Sequence, residues 1–369
     1  ITLKDFNLQN FKYGIMVKNV ETLTIQNILN SGGQRAVDFQ IDNSNNVVLD
    51  GMIPNTSSKL FVTNSNEVVI KNNGGSNSWG SIKIGNSHGV EITDSYVSGP
   101  PNYGRGVISI ADGSSNINIH DSYFSHVNTA GGMFGTYYAE DGSCSSNMVP
   151  RICASVGEIG TGIKISDNII YGTIGMHSVS DAPITISGNT FENVYGCGIG
   201  IVAGTTGSNL WGYGGHIIKN NIFNCSEREG GDAIRITGNP GNDISGNTFH
   251  YGGHSIFLIG SKDNMITNNN FMGSTHTYAA GELYHDVYLA PSWQYTPSSG
   301  YTSSGNIFSE NYWNIFDSAS ELCYNDSPYD QYCDQNYSFS SDFIAYAGGP
   351  SQSYVDSKPW VMPNGEMPS

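Results

Sequence analysis

The sequence has few charged residues, and basic residues are especially scarce. Only 13% of its 369 residues are charged, with 15 Lys and Arg against 32 Asp and Glu, and the formal net charge is −17. A nucleic-acid-binding protein needs a clustered Lys/Arg surface to neutralise phosphates, and no basic run occurs here. The composition therefore argues against a nucleic-acid partner.

The sequence also lacks any long apolar run. No stretch approaches the roughly 20 residues that a membrane-spanning helix requires, so we expect no transmembrane segment. Ile1 already begins a strand-like pattern, and no signal peptide is visible. We expect this start to be a mature or trimmed end.

Glycine and tyrosine are abundant, with 46 and 22 residues, and they surround short alternating runs such as VEIT and INIH. This pattern is typical of β structure rich in turns. One segment is repeated, since ITISGNTFENVYGCGIGI at 184–201 is followed by DISGNTFHYGGHSIFLI at 243–259. Subtracting neighbouring positions gives intervals of 21, 32, 26, 22 and 37 residues along the column Asn168, Asn189, Asn221, Asn247, Asn269 and Asn306. Earlier members of the column are Asn27, Asn72, Ser95 and Ser122.

A large apolar residue stands two positions after most members of this column, and a second short strand with alternating apolar residues follows. The apolar residues are Leu29, Val97, Phe124, Ile170, Phe191, Phe223, Phe249, Phe271 and Phe308. A coil of about 21 residues cannot bury its apolar face alone, whereas stacked coils form a continuous core. The pattern predicts an all-β parallel β-helix of about a dozen coils. Its internal ladder is expected at Asn168, Asn189, Asn221, Asn247 and Asn269.

This repeat resembles the right-handed parallel β-helix repeats of the pectate-lyase-like superfamily. It is most similar to NosD-type proteins and archaeal surface proteins, and GNIFSENYWNIF at 305–316 resembles how such surface proteins end their last coils. The resemblance covers residues 1–318 and implies a right-handed single-stranded β-helix with insertions at 127–160, 203–215 and 273–303. Residues 319–369 are expected to form an irregular C-terminal cap or tail. The repeat encodes packing, so it implies a fold rather than an activity.

The insertions carry aromatic residues that suit sugar rings, because sugars present apolar C–H patches to aromatic faces. The candidate ligand-binding residues are Trp211, Tyr213, Tyr284, Trp293 and Tyr295. The alternative is that these side chains cover the solenoid and pack on it.

A polar column opens the second strand of successive coils. Its members are His177, Cys197, Asp232, His254 and His285, the last followed by Asp286. Neighbouring strands lie about 4.8 Å apart, so Asp232, His254 and His285 are expected to line up, with Arg235 on the same face. Such a patch can do acid–base chemistry on a sugar or, with a bound metal, polarise a carboxylate. The alternative is a polar position that tolerates many residues, because N-terminal coils have Tyr13, Arg35 and Arg105 there.

Signatures of known β-helix enzymes are missing. The sequence has GGDAIRI but neither G-H-G nor the paired Asp motif of polygalacturonase-type hydrolases, and the D-P-H motif of alginate epimerases is absent. The coils also offer few of the stacked acids with which pectate lyases bind calcium. These absences weaken the prediction of an enzyme.

Cysteines and glycosylation motifs favour an exported protein. Two pairs are close in sequence and are expected to form disulfides: Cys144 with Cys153, and Cys323 with Cys333. The positions of Cys197 and Cys225 are equally consistent with a disulfide and with buried free thiols. Sequons that permit glycosylation occur at Asn55, Asn224, Asn325 and Asn336. The tail acids Asp326, Asp330, Asp334 and Asp342 suit calcium, although solvated acids are the simpler interpretation.

Two functions from different classes are consistent with these features. The first is an extracellular or cell-surface structural or adhesive protein that binds a polysaccharide or assembles with other copies of itself through residues 1–20. The second is a carbohydrate-active enzyme, a polysaccharide lyase, hydrolase or epimerase, that uses Asp232, Arg235, His254 and His285. A metal-handling role follows only from the NosD resemblance, and no Met/His-dense copper motif is present. No cofactor is predicted beyond calcium.

Overall fold

A computed structural model describes the ladder-forming parts of the chain. The described residues are 1–5, 7–8, 14–30, 39–53, 58–74, 81–99, 108–110, 113–126, 151–154, 162–171, 173–178, 183–193, 198–203, 214–225, 232–250, 254–272, 287–290, 305–313, 337–340 and 353–356. Within them there are strands and no helix, so no helix long and apolar enough to span a membrane is found there. The chain divides into two compact units, Ile1–Thr185 and Ile186–Ser369.

The described residues of the first unit form nineteen strands. They are β1 (Thr2–Lys4), β2 (Asn7–Leu8), β3 (Met16–Lys18), β4 (Leu23–Gln26), β5 (Leu29–Asn30), β6 (Phe39–Asp42), β7 (Asn45–Asp50), β8 (Lys59–Thr63), β9 (Asn66–Lys71), β10 (Ser81–Gly85), β11 (His88–Thr93), β12 (Tyr96–Gly99), β13 (Ile108–Ile110), β14 (Asn118–His120), β15 (Tyr123–His126), β16 (Arg151–Ala154), β17 (Lys164–Ser166), β18 (Ile169–Ile170) and β19 (Thr173–Ser178).

The second unit continues the series from β20, which starts at the boundary residue. Its strands are β20 (Thr185–Ser187), β21 (Thr190–Asn193), β22 (Gly198–Ala203), β23 (Ile217–Lys219), β24 (Ile222–Cys225), β25 (Ile234–Thr237), β26 (Asp243–Ser245), β27 (Thr248–His250), β28 (Ile256–Ile259), β29 (Met265–Thr267), β30 (Asn270–Phe271), β31 (Val287–Ala290), β32 (Ile307–Ser309), β33 (Tyr312–Trp313), β34 (Tyr337–Ser340) and β35 (Ser353–Asp356).

Parallel sheets in the first unit stack strands from successive coils. Sheet A has the order β1-β4-β7-β9-β11-β14-β17, sheet C has β3-β6-β8-β10-β13-β16-β19, sheet D has β12-β15-β18, and sheet B pairs β2 with β5. Alternate residues point inward, as expected for strands with one buried face. One buried column of sheet A joins Ile25, Leu49, Ile70, Ile92, Ile119 and Ile165 in register.

The second unit repeats this arrangement. Its part of sheet A runs β20-β23-β26-β29-β32-β35-β34, its part of sheet C runs β22-β25-β28-β31, and its part of sheet D runs β21-β24-β27-β30-β33. Ile218, Ile244, Ile266 and Phe308 form a buried column in register. Among the described strands, β34 alone runs antiparallel, against β35.

The prediction of one helix of about a dozen coils is not supported. Turns are counted within each unit, and the second unit is a parallel β-solenoid of about six turns, since sheet A there has six parallel strands up to β35. In the first unit the coils also differ from one another, because sheet D begins only at β12 (Tyr96–Gly99) in the described chain. The prediction had treated every interval as an equal coil of one stack.

The predicted asparagine ladder is buried. Asn168, Asn189, Asn221, Asn247 and Asn269 are each at most 1% exposed. In the second unit the Nδ2 of Asn189, Asn221 and Asn247 each donates to the Oδ1 of the next member at 3.0 Å. In the first unit the Oδ1 of Asn168 accepts from the backbone N–H of Ser122 at 3.0 Å. This ladder is confirmed.

A second set of buried ladders was not predicted. In the second unit the Nδ2 of Asn242 donates to Asn264 at 2.6 Å, and that of Asn264 donates to Asn306 at 2.7 Å. In the first unit Ser44, Ser65, Ser87 and Ser114 occupy a buried serine ladder. Both sets satisfy backbone N–H groups at a turn of the coil, where strand pairing is interrupted.

Aromatic side chains also stack in register. Phe191, Phe223, Phe249, Phe271 and Trp313 form a continuous stack with ring centroids 4.3 to 5.2 Å apart. Five residues assigned to the predicted columns lie elsewhere. Asn27 and Asn72 are exposed, and Asn73 takes the buried position beside Asn72. Asn306 belongs to the second ladder, and Phe308 lies in sheet A. Leu29 is 39% exposed, because Ile28 takes the buried position.

Candidate functional site

The register of sheet C brings part of the predicted polar column together. Buried Ile234 pairs with Ile256, and Ile256 pairs with Val287. Asp232 and His254 each lie two residues before such a buried position, and the backbone N–H of Ala233 donates to the carbonyl of His254 at 2.9 Å. His285 has the equivalent chain position but lies outside the described residues. Asp232 and His254 therefore stand on neighbouring coils at the same edge of the sheet.

His177 is not a member of this column. It lies within β19, and the buried Ile174 of that strand pairs with Ile152. The column position precedes the buried residue by two, whereas His177 follows it by three. The closely spaced small residues in YGTIGMHS shifted the alignment of this repeat with the others, and His177 was therefore assigned to the wrong position.

Arg235 reaches the carboxyl of Asp232. It lies between buried Ile234 and Ile236, so its side chain points to the outer face of sheet C. Its Nη1 is 3.7 Å from Oδ2 of Asp232, and the side chains are 29% and 14% exposed, respectively. At this separation the pair is an ion pair rather than a hydrogen bond, which leaves donors of the guanidinium for another acceptor.

Phe257 is a member of the site that the sequence did not single out. It pairs in register with Arg235 on the next strand. The guanidinium carbon of Arg235 lies 5.0 Å from the centre of its ring, and the ring of His254 lies 5.4 Å away at 56°. Tyr288 occupies the next register position. The alternation in HSIFL was the available signal, since Phe257 falls between two buried residues.

The electrostatics of Asp232 are unusual for a carboxyl. Burial raises its pKa, the positive charge of Arg235 lowers it by less, and the resulting pKa is about 7. A carboxyl in this state changes charge near neutral pH, which an exposed Asp does not do. Asp232 can therefore hold or release a proton under ordinary conditions.

Glycine at the preceding coil lets this backbone approach closely. Gly198 begins β22 with φ of +137°, a conformation that L side chains rarely adopt. A Cβ there would overlap the carbonyl oxygen of Ala233 and lie 2.6 Å from that of Asp232. The Ile199 N–H donates to the Ala233 carbonyl at 2.8 Å. The pairing that fixes the Asp232 segment therefore depends on glycine at 198.

The arrangement offers a cation, an aromatic face and a titratable carboxyl on one outer surface. We call these residues, Asp232, Arg235, His254 and Phe257, the sheet C patch. Guanidinium and aromatic groups bind anionic groups and the apolar faces of rings. Within the part of the chain that the structure describes, no group of three His, Cys, Asp or Glu side chains is placed to hold a metal ion. The tail acids predicted to suit calcium lie outside that part.

Most other predicted site residues fall outside the described ranges. These are the loop aromatics Trp211, Tyr213, Tyr284, Trp293 and Tyr295, the cysteines Cys144, Cys323 and Cys333, and the sequon residues Asn55, Asn325 and Asn336. Asn224 is described, and it is exposed in β24 of sheet D. Cys153 lies in β16, in register with Ser109 and Gly175. Strand β16 thus lies inside the segment predicted as the first insertion.

A second polar cluster lies on sheet A of the first unit, and no motif in the sequence pointed to it. His120 Nε2 is 2.9 Å from Oε1 of Glu91, and its Nδ1 is 2.7 Å from Oδ2 of Asp121. Partial burial lowers the pKa of His120, but the hydrogen bonds that the ring donates to Asp121 and Glu91 raise it by more, so the net pKa is above its ordinary value. Both carboxylates contact the ring nitrogens of this histidine.

A family model supports the fold over part of the chain. A family model described as a right handed beta helix region matches residues 172–327, less than half of the chain. The Streptococcus pneumoniae surface protein and adhesin PfbA has 13% identity and a TM-score of 0.42, with 78% of this chain and 90% of that chain covered. A complex of alginate lyase AlyF-OU02 has 13% identity and a TM-score of 0.33, with 76% and 59% covered. No curated protein matches the sequence. The family match over residues 172–327 and the parallel register of the strands support a β-helix repeat protein.

Proposed function

We propose that this protein binds a polysaccharide at the sheet C patch and works outside the cell as a surface or adhesive β-helix. The observation that carries the proposal is the outward pair of Arg235 and Phe257 on adjacent strands, with the guanidinium carbon 5.0 Å from the ring centre. Such a pair offers one cation and one aromatic platform on a rigid sheet. A sugar ring with an anionic substituent can use both.

Chain connectivity supports this location. Strands β25, β28 and β31 are parallel, so Asp232 and His254 lie at the same edge of sheet C. The sequence before β31, residues 273–286, contains the predicted ligand-binding residue Tyr284. Loops carried by a rigid scaffold commonly provide binding residues. Tyr284 is therefore a further candidate for contact with the proposed ligand.

A polysaccharide-binding screen with matched variants tests the proposal. We expect the protein to bind at least one polysaccharide of an extracellular panel, and we expect Phe257→Ala and Arg235→Ala each to weaken that binding about tenfold or more, equivalent to about 1.4 kcal/mol. Phe61→Ala is the matched control, because Lys83 lies 5.8 Å from the Phe61 ring on sheet C of the first unit. No binding to any member of the panel, or equal loss in the control, would contradict the proposal.

A second candidate function is a carbohydrate-active enzyme, and one observation favours it. A carboxyl with a pKa of about 7 beside a cation is suited to general acid or base catalysis near neutral pH. The assay is polysaccharide turnover, followed by new reducing ends and by the ultraviolet absorbance of unsaturated products. We expect Asp232→Asn to abolish any turnover found. Binding without turnover in the native protein would leave the adhesive function as the better account.

A further inference from the structure

We propose that Asp232 is a proton-operated competitor for Arg235, so that the sheet C patch binds an anionic group more tightly as the pH falls. The proposal rests on the proposed ligand-binding function of this patch and adds its regulation. When Asp232 is ionised, its carboxylate holds the guanidinium and repels an incoming anion. When it is protonated, the full charge of Arg235 is available to the ligand.

The geometry supports competition rather than a locked pair. The Asp232 carboxyl is 14% exposed, Arg235 is 29% exposed, and their closest charged atoms are 3.7 Å apart. A loose ion pair of this length does not use the planar fork of the guanidinium, which binds carboxylate or sulfate oxygens two at a time. An anion at the exposed edge of Arg235 would lie close to the Asp232 carboxyl. The two negative groups therefore exclude each other unless one is neutral.

The surroundings leave few other groups to produce this effect. In the described part of the chain, the ionisable side chains on the strands packed against Asp232 are Arg235 on its own strand and His254 at the start of the next. Strand β22, on the other side, has the sequence GIGIVA and contributes none. Among the described residues, Arg235 is the charge that shifts the pKa of Asp232, against the opposing effect of burial. His254 is the other titratable group near Asp232 in this part of the chain, and the test includes it.

The size of the effect follows from the protonated fraction. With a pKa of about 7, Asp232 is mostly protonated at pH 6 and mostly ionised at pH 8. If only the protonated form leaves Arg235 available, the apparent Kd is the intrinsic Kd divided by that fraction, which gives about a tenfold change between these two pH values.

Titration with inorganic sulfate tests the proposal, because sulfate keeps a constant charge over this range. Binding is followed by the NMR signal of the Arg235 Nε–H group at pH 6 and pH 8. We expect the native protein to bind sulfate about tenfold more tightly at pH 6. Asp232→Asn should bind at both pH values as tightly as the native protein does at pH 6, and Arg235→Gln should bind weakly at both.

Two further variants separate this mechanism from its alternatives. Asp243→Asn removes the same charge from sheet A of the same unit, and it should keep the tenfold change. His254→Gln should also keep it. The proposal is overturned if sulfate binding by the native protein does not depend on pH, if Asp232→Asn retains the dependence, or if His254→Gln removes it. Far-ultraviolet circular dichroism confirms folding of each variant, so loss of binding is not mistaken for loss of structure.

The experiments distinguish failure of the competition between Asp232 and the anion from failure of the proposed polysaccharide binding. Sulfate binding that depends on Asp232, with no polysaccharide bound at either pH, would support the competition and reject polysaccharide as the ligand. Polysaccharide binding that requires Phe257 and Arg235, with no pH dependence for sulfate, would support the function and reject the competition.

Discussion

At the scale of single residues, Asp232 costs stability because its carboxyl is buried beside only one cation. Its folded pKa of about 7 is higher than the ordinary value of 3.8, so the unfolded chain ionises first as the pH rises. The cost is absent below about pH 4 and complete above about pH 7, with an upper limit of about 4 kcal/mol at roughly 1.4 kcal/mol per pH unit. We therefore expect Asp232→Asn to stabilise the protein at pH 8 by on the order of 2 kcal/mol. Urea unfolding at pH 4 and pH 8 measures this, and an equal gain at both pH values would contradict the assignment.

The contribution of His120 to stability changes with pH in the opposite direction. Two carboxylates, Glu91 and Asp121, face its two ring nitrogens, and both nitrogens donate only when the ring is protonated. Its pKa is raised, so the stabilisation is complete below the ordinary value of 6.5 and is lost as the pH rises through the folded pKa. We expect His120→Gln to lower the thermal midpoint more at about pH 5.5 than at about pH 9. His88→Gln is the control, because His88 contacts the uncharged Ser115 and Asn116, so this variant removes a histidine without removing an ion pair.

At the scale of the repeated element, the buried asparagine ladder replaces strand pairing at the turn of each coil. Asn221 accepts from the backbone and side chain of Asn189, and its Nδ2 donates to Asn247 and to the carbonyl of Ile186, all at 3.0 Å. Asn221→Leu would leave these buried partners unsatisfied, at about 1–3 kcal/mol for each group. We expect a loss of several kcal/mol in the free energy of unfolding. Asn224→Leu, at an exposed position three residues later, should change it by less than about 1 kcal/mol.

The same element shows what could be predicted from the sequence. The Asn column was recognisable in the second unit because Asn and Phe recur there at a fixed spacing, as in SGNTF. Asn306 was misplaced because NIFSEN contains two Asn residues five positions apart, and each is followed two residues later by an aromatic. Both ladders advance by 42 residues there, from Asn264 to Asn306 and from Asn269 to Asn311.

The candidate site was predictable only in part. The alignment of Asp232 with His254 could be predicted by counting along the repeat, since it depends on backbone pairing alone. The pairing of Arg235 with Phe257 depends on which strands are neighbours and on rotamers, and these are properties of the packed sheet. The serine ladder was missed for a related reason. In the sequence, Ser44 and Ser65 resemble ordinary turn residues. Only the structure shows that they are buried at the corner of the coil.

At the scale of the whole molecule, the net charge of −17 works against any anionic ligand. Attraction at Arg235 is therefore local, and its range is about 8 Å at physiological ionic strength. Salt screens the distant repulsion more than the close contact. For this reason a ligand held at the sheet C patch should lose little affinity as salt increases, unlike a ligand collected by a broad basic surface.

Disulfide content tests where the whole molecule works. We predict that Cys144 is bonded to Cys153 and Cys323 to Cys333, because each pair closes a short loop and an oxidising compartment preserves such bonds. Loops of about ten residues stabilise by about 2–3 kcal/mol in the chain-entropy model, so reduction should lower the thermal midpoint. Peptide mass mapping without reductant measures the pairing directly. Cys197 and Cys225 should remain alkylatable after unfolding, and they serve as the internal control. Alkylation of all six cysteines in unreduced protein would remove this support for a location outside the cell.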